Sequence, residues 1–107
     1  ECGAIVNPQN LQNQIVGAII MGLGPALREA MRFENGEILN PSFRAYGVPR
    51  FSDLPDIQVH LVNRPDLDSV GAGETPIIAI APAIANALCH ATGVRVREMP
   101  IQIPEAG

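Results

Sequence analysis

The chain has 107 residues, of which 47% are hydrophobic, and a net charge of −4. This length supports one small domain, and the composition is too apolar for a disordered segment. Only 7 residues are Lys or Arg, Trp is absent and there is 1 Tyr, which argues against a nucleic-acid surface built on phosphate contacts or stacking.

The opening, Glu1 to Val6, reads as the interior of a strand, so the chain is expected to be a piece of a longer protein. Asn7-Pro8 then starts a helix, with Asn as cap and Pro at the first helical position. Leu11, Ile15, Ala18, Ile19, Gly22, Leu23, Ala26, Leu27 and Met31 recur at helical spacing, which predicts a helix from about Pro8 to Met31. Its middle, Ile15 to Leu23, is apolar all round and is expected to be buried. Gly17, Gly22 and Gly24 permit close approach of a ligand or another backbone, and Pro25 predicts a kink or break near Gly22–Gly24. The uncharged run from Cys2 to Leu27 does not read as a membrane span. Its amides, Gly and Pro interrupt the ~20 apolar residues that a span requires.

Asn35-Gly36 between short apolar arms predicts a hairpin with a type I′ turn. Asn40 to Pro55 is irregular and Pro-punctuated, with Phe43, Tyr46 and Phe51 expected as anchors. Arg50 and Asp53 read as a charged pair fixing that loop. Ile57 to Val62 alternates apolar and polar residues and predicts a strand with one face on the core. Asn63 to Gly73 is a loop. A second helix starts at Thr75-Pro76 or at Ala81-Pro82, runs to about Ala91 and stops at Gly93. Val94 to Arg97 reads as a short strand, and Pro100 to Gly107 as an extended tail. The fold class is therefore α+β, with two main helices on a small, mostly antiparallel sheet. Both helices are too apolar to be covered by so small a sheet and are expected to meet a further partner.

Cys2, Cys89, His60 and His90 are isolated, and no spacing among them suggests a metal site. Cys89 reads as a small buried hydrophobe. Glu74 is the residue with the clearest chemical promise. It follows Gly71-Ala72-Gly73 and precedes Thr75-Pro76 at the mouth of a stretch, Ile77 to Leu88, that carries no charge. Two readings of it compete: a carboxylate complementing a helix dipole, worth about 0.3–1 kcal/mol, or a placed acid or base.

Cys2-Gly3, Asn7-Pro8, Gln14-Ile15-Val16-Gly17-Ala18, Gly22-Leu23-Gly24, Tyr46, Pro49-Arg50, Asp53, Pro55, Gly71-Ala72-Gly73-Glu74, Ala81-Pro82-Ala83, Asn86-Ala87 and Ala91-Thr92-Gly93 occur in this order. The series resembles the C-terminal part of the large subunit of the xanthine dehydrogenase/aldehyde oxidase family, the molybdenum hydroxylases, in its isoquinoline-oxidoreductase-like branch. The resemblance implies that residues 1–107 are the last part of a second molybdenum-binding region. It implies a molybdopterin-type cofactor, and hydroxylation of an aldehyde or N-heterocycle with oxygen from water. In that chemistry a glutamate takes the proton from the metal-bound hydroxyl, and electrons leave through an iron–sulfur domain or subunit. The family's glutamate falls on Glu74, and its glutamine near the cofactor falls on Gln14. Gly71, Ala72 and Gly73 are the accompanying cofactor-binding positions, and no side chain here is a metal ligand. Val16 departs from the acidic residue that many members carry, which puts the packing around Gln14 in question.

The partners implied are the rest of the large subunit, an iron–sulfur partner and a small substrate, with no nucleic acid and no membrane span. The segment alone is expected to lack cofactor, to be inactive and to self-associate. A non-catalytic α+β module that binds a partner through its apolar helices is the alternative from another class. A self-contained hydrolase using Glu74 is weaker, since only Asp66 and Asp68 on the preceding loop offer a second carboxylate.

Overall fold

The computed structural model describes residues 1–102, so the later part of the expected extended tail lies outside the described residues. Helix α1, Pro8–Leu27, starts where the local signals place it. Asn7 is extended at φ −139°, and its Oδ1 accepts the Asn10 backbone N–H at 3.0 Å. Such a cap is worth about 1 kcal/mol. The expected break near Pro25 and extension to Met31 are not seen. Pro25 sits in the last turn, where its missing N–H forfeits only one bond, and the helix ends two residues later at Leu27. Arg28 and Glu29 both donate backbone N–H groups to Gly24 O at 2.8 Å, closing the end.

Strands β1, Phe33–Glu34, and β2, Glu37–Ile38, form the antiparallel hairpin, with Phe33 opposite Ile38 and Glu34 opposite Glu37. Asn35 at φ 49° and Gly36 at φ 84° supply the two left-handed residues that the tight turn requires. Helix α2, Phe43–Tyr46, is a single turn capped by Ser42, and a 3-10 turn follows at Phe51–Asp53. A 3-10 segment, Thr75–Ala79, leads into α3, Ile80–Thr92. Gly93 ends α3 at φ 76°, donating its N–H to Cys89 O at 2.8 Å. Helices and an antiparallel sheet lie in separate stretches of chain, and the class is α+β.

Helix α1 packs along both the 3-10 segment and α3. The closest approach is at Gly22, where a Cβ would lie 2.9 Å from Ile80 Cγ1 and 3.1 Å from Ile77 Cγ1. On α3 the half-buried residues Ile80, Ala81, Ile84, Ala85, Leu88 and Cys89 fall at helical spacing, so one face meets α1. Thr75–Thr92 is long and apolar enough to cross a membrane by length and composition. It is a composite of 3-10 and α winding, with one face half-buried against α1. Ile101 returns to α1, donating its N–H to Ala26 O at 2.7 Å, and is itself buried.

Several expectations about the sheet and core are corrected. Ile57 to Val62 forms no strand, because no neighbouring backbone in the described residues pairs with it. Val94 to Arg97 likewise forms no strand. The opening residues are not a strand either, although Ala4 N–H donates to Leu67 O, Val70 N–H to Cys2 O and Arg64 N–H to Gly3 O, at 3.0–3.1 Å. The middle of α1 is not fully buried, and Met21 is 68% exposed. Phe43 and Phe51 do not anchor the loop, since they are 82% and 95% exposed.

The loop is held by polar groups instead. Asp53 pairs side chain to side chain with Arg28, not Arg50, at 2.7 and 3.2 Å. Arg50 contributes its backbone N–H to Asp53 Oδ2 at 2.9 Å. That backbone bond, with Arg28 beside it, holds the Asp53 carboxyl below its ordinary pKa. Asn40 is buried, accepting the Arg32 N–H at 2.9 Å and donating to Ala30 O at 2.7 Å. Replacing Asn40 with Ala leaves both backbone groups without partners. The expected cost is about 1–3 kcal/mol, read as a fall in chemical-denaturation midpoint in the full-length protein. An unchanged midpoint would show that water replaces the amide.

The surface area is 8195 Å², against about 5,800 Å² for a compact chain of this size. The radius of gyration is 17.1 Å, against about 13 Å. Large apolar side chains are left exposed as well, Met21, Phe43, Phe51 and Ile78 among them.

Candidate functional site

A cavity of about 670 Å³ opens between the first half of α1 and the start of the 3-10 segment. From α1, Gln14, Gly17, Ala18 and Met21 face it at spacings of three and four, the repeat of one helix face. Asn13 borders the same face. From the other side come Gly73, Glu74, Thr75, Ile77 and Ile78. The floor is apolar and the polar groups are few, as in most small-molecule sites.

Glu74 immediately precedes the 3-10 segment at φ −105° and ψ −27°. Its backbone carbonyl accepts the Ile77 N–H at 3.1 Å, which fixes the residue in place. Its side chain makes no capping bond. The carboxylate is exposed at the cavity wall and is not spent on closing the helix end.

Gln14 lies across from Gly73. A Cβ built on Gly73 would be 3.6 Å from Gln14 Oε1, so the absence of a side chain keeps this approach open. Gly17 has nothing within 4 Å of where its Cβ would be, leaving space on the helix wall. Gln14, Gly73 and Glu74 thus converge on one cavity. Gly71 faces a neighbouring cavity of about 300 Å³ with His60 and Leu61. Ala72 lies between that cavity and one it shares with Gln14 and Gly73. Asn13, Met21 and Ile78 do not stand out in the sequence as site residues. The helical repeat starting at Gln14 carries the signal for Met21, whereas Ile78 depends on the 3-10 winding.

The donor set suits a ligand with a hydrogen-bonding edge. Gln14 offers an amide that donates and accepts, Glu74 a carboxylate, and Ala18, Met21, Ile77 and Ile78 an apolar bed. No Lys or Arg is among the residues that line this cavity. Among the described residues no group of His, Cys, Asp and Glu is arranged to hold a metal ion directly. The Gln14 amide and the open approach at Gly73 fit the hydrogen-bonding edge of a molybdopterin-type group.

Comparison with known proteins gives this geometry a context. Residues 1–55 match the molybdopterin cofactor-binding domain. A nicotinate dehydrogenase polypeptide from Pseudomonas putida is 36% identical over 94% of this chain and 8% of its own length. The molybdenum-binding subunit PaoC of aldehyde oxidoreductase from Escherichia coli is 35% identical over 94% of this chain and 15% of its own. The beta subunit of isoquinoline 1-oxidoreductase from Brevundimonas diminuta is 33% identical over 95% of this chain and 13% of its own. The chain therefore spans at most 15% of the length of these relatives. In three dimensions, Cu,Mo-CO dehydrogenase superposes with a TM-score of 0.76 over 86% of this chain and 12% of its own, at 23% identity. That match establishes a shared fold. By the family match and the similarity of relatives across nearly all of its length, the chain belongs to the molybdopterin cofactor-binding domains of the molybdenum hydroxylases.

Proposed function

We propose that this chain forms the base-bearing wall of the active site in a larger molybdenum hydroxylase that oxidises an aldehyde or an N-heterocycle. The observation that carries the reading is the convergence of Gln14, Gly73 and an uncommitted Glu74 on one cavity. When bound, the molybdenum cofactor supplies a two-electron oxidant for hydroxylation with oxygen from water.

The chain's own residues have separate tasks. Glu74 is the general base and takes a proton at a carboxylate oxygen as the water-derived oxygen attacks substrate carbon. Gln14 holds the polar edge of the cofactor, donating from Nε2 or accepting at Oε1. Gly73 lets the cofactor approach the backbone, and Gly71 and Ala72 shape the turn that delivers Glu74. Met21 and Ile78 present apolar surface that excludes water from one side. The test is turnover and molybdenum content measured together on a Glu74→Gln variant of the full-length enzyme.

The remainder of the large subunit completes the site, and an iron–sulfur domain or subunit takes the electrons. The aldehyde oxidoreductase and isoquinoline oxidoreductase names among the relatives support the substrate classes. The excess surface supports the dependence on a covering partner. The 107-residue segment alone is accordingly expected to be inactive and to self-associate at micromolar concentration, read by light scattering. A strictly monomeric segment would count against that dependence.

A further inference from the structure

The opening residues and the loop before Glu74 are laced together by five bonds. Ala4 N–H donates to Leu67 O at 3.1 Å, Arg64 N–H to Gly3 O at 3.1 Å and Val70 N–H to Cys2 O at 3.0 Å. Ile5 N–H donates to Asn63 Oδ1 at 3.0 Å, and the Ser69 hydroxyl donates to Ala4 O. Both ends of this strap lead into the cavity. On one side Asn7 caps α1, and Gln14 lies in the second turn. On the other side Val70 precedes Gly71-Ala72-Gly73-Glu74 directly. Among the described residues, Gly71, Ala72 and Gly73 make no backbone-to-backbone bond, and the next tie is Ile77 N–H to Glu74 O. Glu74 is therefore carried on a span held at Val70 upstream and at the 3-10 segment downstream. Gly3 is buried where the two halves of the strap come closest. Its φ is +78°, and a Cβ placed on it would lie 2.0 Å from Asp68 O and 2.8 Å from Asp68 C. Both are backbone atoms, which cannot rotate aside as a side-chain tip can. Ordinary contact begins at 3.4 Å, so a side chain at position 3 pushes the loop back by about 1.4 Å, the difference from 2.0 Å. The left-handed backbone adds strain for any residue with a Cβ.

We propose that Gly3 is a positioning residue for Glu74. By letting the opening residues lie against the backbone at Asp68, it sets where the span from Val70 delivers the carboxylate. The role rests on the reading of Glu74 as the general base. A base works only when its oxygen is within hydrogen-bond reach of the proton it takes. A misplacement of about 1 Å, caused far from the chemistry, is enough to cost ~10²-fold in rate. Gly3 is not among the residues lining the cavity that holds Gln14 and Glu74. A change there reaches the reaction through the loop and not by touching substrate or cofactor.

The experiment is steady-state kinetics on Gly3→Ala in the full-length enzyme, with rates expressed per molybdenum at a temperature where the variant stays folded. A purely structural residue would lower yield or molybdenum content and leave the rate per molybdenum unchanged. Gly3→Ala is instead expected to lower kcat per molybdenum by ~10–10²-fold. KM stays unchanged, because the contact with the base is made in the transition state. In a Glu74→Gln background the same substitution is expected to lower the rate no further, since both changes act through one carboxylate. Unchanged kcat per molybdenum in Gly3→Ala overturns the role, as does an equal further fall in the Glu74→Gln background or a raised KM with kcat intact. Ser69→Ala removes one bond of the strap without crowding it. It is expected to give a smaller loss of the same kind, and Ser69→Thr, which keeps the hydroxyl, to restore the rate. Where Gly3→Ala fails to hold molybdenum, Ser69→Ala decides, and an unchanged rate per molybdenum in that variant overturns the role. Glu74→Gln alone separates the two readings. Near wild-type turnover there removes the base and Gly3's role with it. Lost turnover there, beside an unchanged Gly3→Ala, removes the positioning role only.

Discussion

Replacing Glu74 with Gln in the full-length enzyme is expected to lower turnover by at least ~10²-fold while leaving molybdenum content near normal. Gln has almost the same volume and retains hydrogen-bonding atoms, so the cavity wall keeps its shape. It cannot accept the proton. General-base catalysis contributes ~10²–10⁴ in rate, which sets the scale. The structure favours a clean result, because the Glu74 side chain makes no capping bond whose loss would disturb the fold. The backbone bond from Ile77 to Glu74 O survives the substitution. Loss of turnover alone could equally follow from a displaced cofactor, so metal content has to be measured on the same sample. Full molybdenum with nearly unchanged turnover would remove Glu74 from the mechanism.

The second large effect is expected at Gly22. Its Cα faces Ile80 and Ile77, and even a Cβ would approach Ile80 Cγ1 to 2.9 Å. Valine adds two further carbons there, with one strongly preferred rotamer in a helix. Overpacking of this kind costs about 1–3 kcal/mol. The greater helix propensity of Ala over Gly, about 1 kcal/mol, partly offsets the crowding in Gly22→Ala. Gly22→Val is thus expected to lower the unfolding temperature clearly, and Gly22→Ala less so. Because α1 and the 3-10 segment also form the cavity walls, the Val variant is expected to lose molybdenum as well. Unchanged stability and metal content in Gly22→Val would show that the two elements can move apart freely.

The elements legible in the sequence are those written in local chemistry. Asn7-Pro8 set the start of α1, Asn35-Gly36 set the turn, and Gly93 set the end of α3. What the sequence hid depends on distant atoms. Ile57–Val62 has the pattern of a strand, but pairing belongs to two segments, and no backbone among the described residues pairs with it. Phe43 and Phe51 carry a general preference for burial, yet nothing in the sequence says against what, and within this chain they are exposed. Asn40 gave no signal at all, because an amide in a Pro-rich loop is ordinary until its two backbone partners are seen. At the site, Glu74 and Gln14 came from the ordered series of matching residues. The apposition of Gln14 with Gly73 came only from the packing of α1 beside the 3-10 segment.

The change of winding before α3 sets how far Glu74 reaches. A 3-10 turn advances about 2.0 Å per residue, whereas α winding advances about 1.5 Å. Over Thr75–Ala79, 5 residues long, the difference amounts to about 2.5 Å. Helix α3 therefore acts as a fixed post and the 3-10 segment as an extension piece, with Glu74 at its tip. The carboxylate stands about one bond length and a half farther along the axis than an unbroken α-helix would hold it. Its position is set by the pitch of a backbone segment, so the placement of Glu74 at the cavity wall can be tuned by substitutions that change the winding without changing the carboxylate.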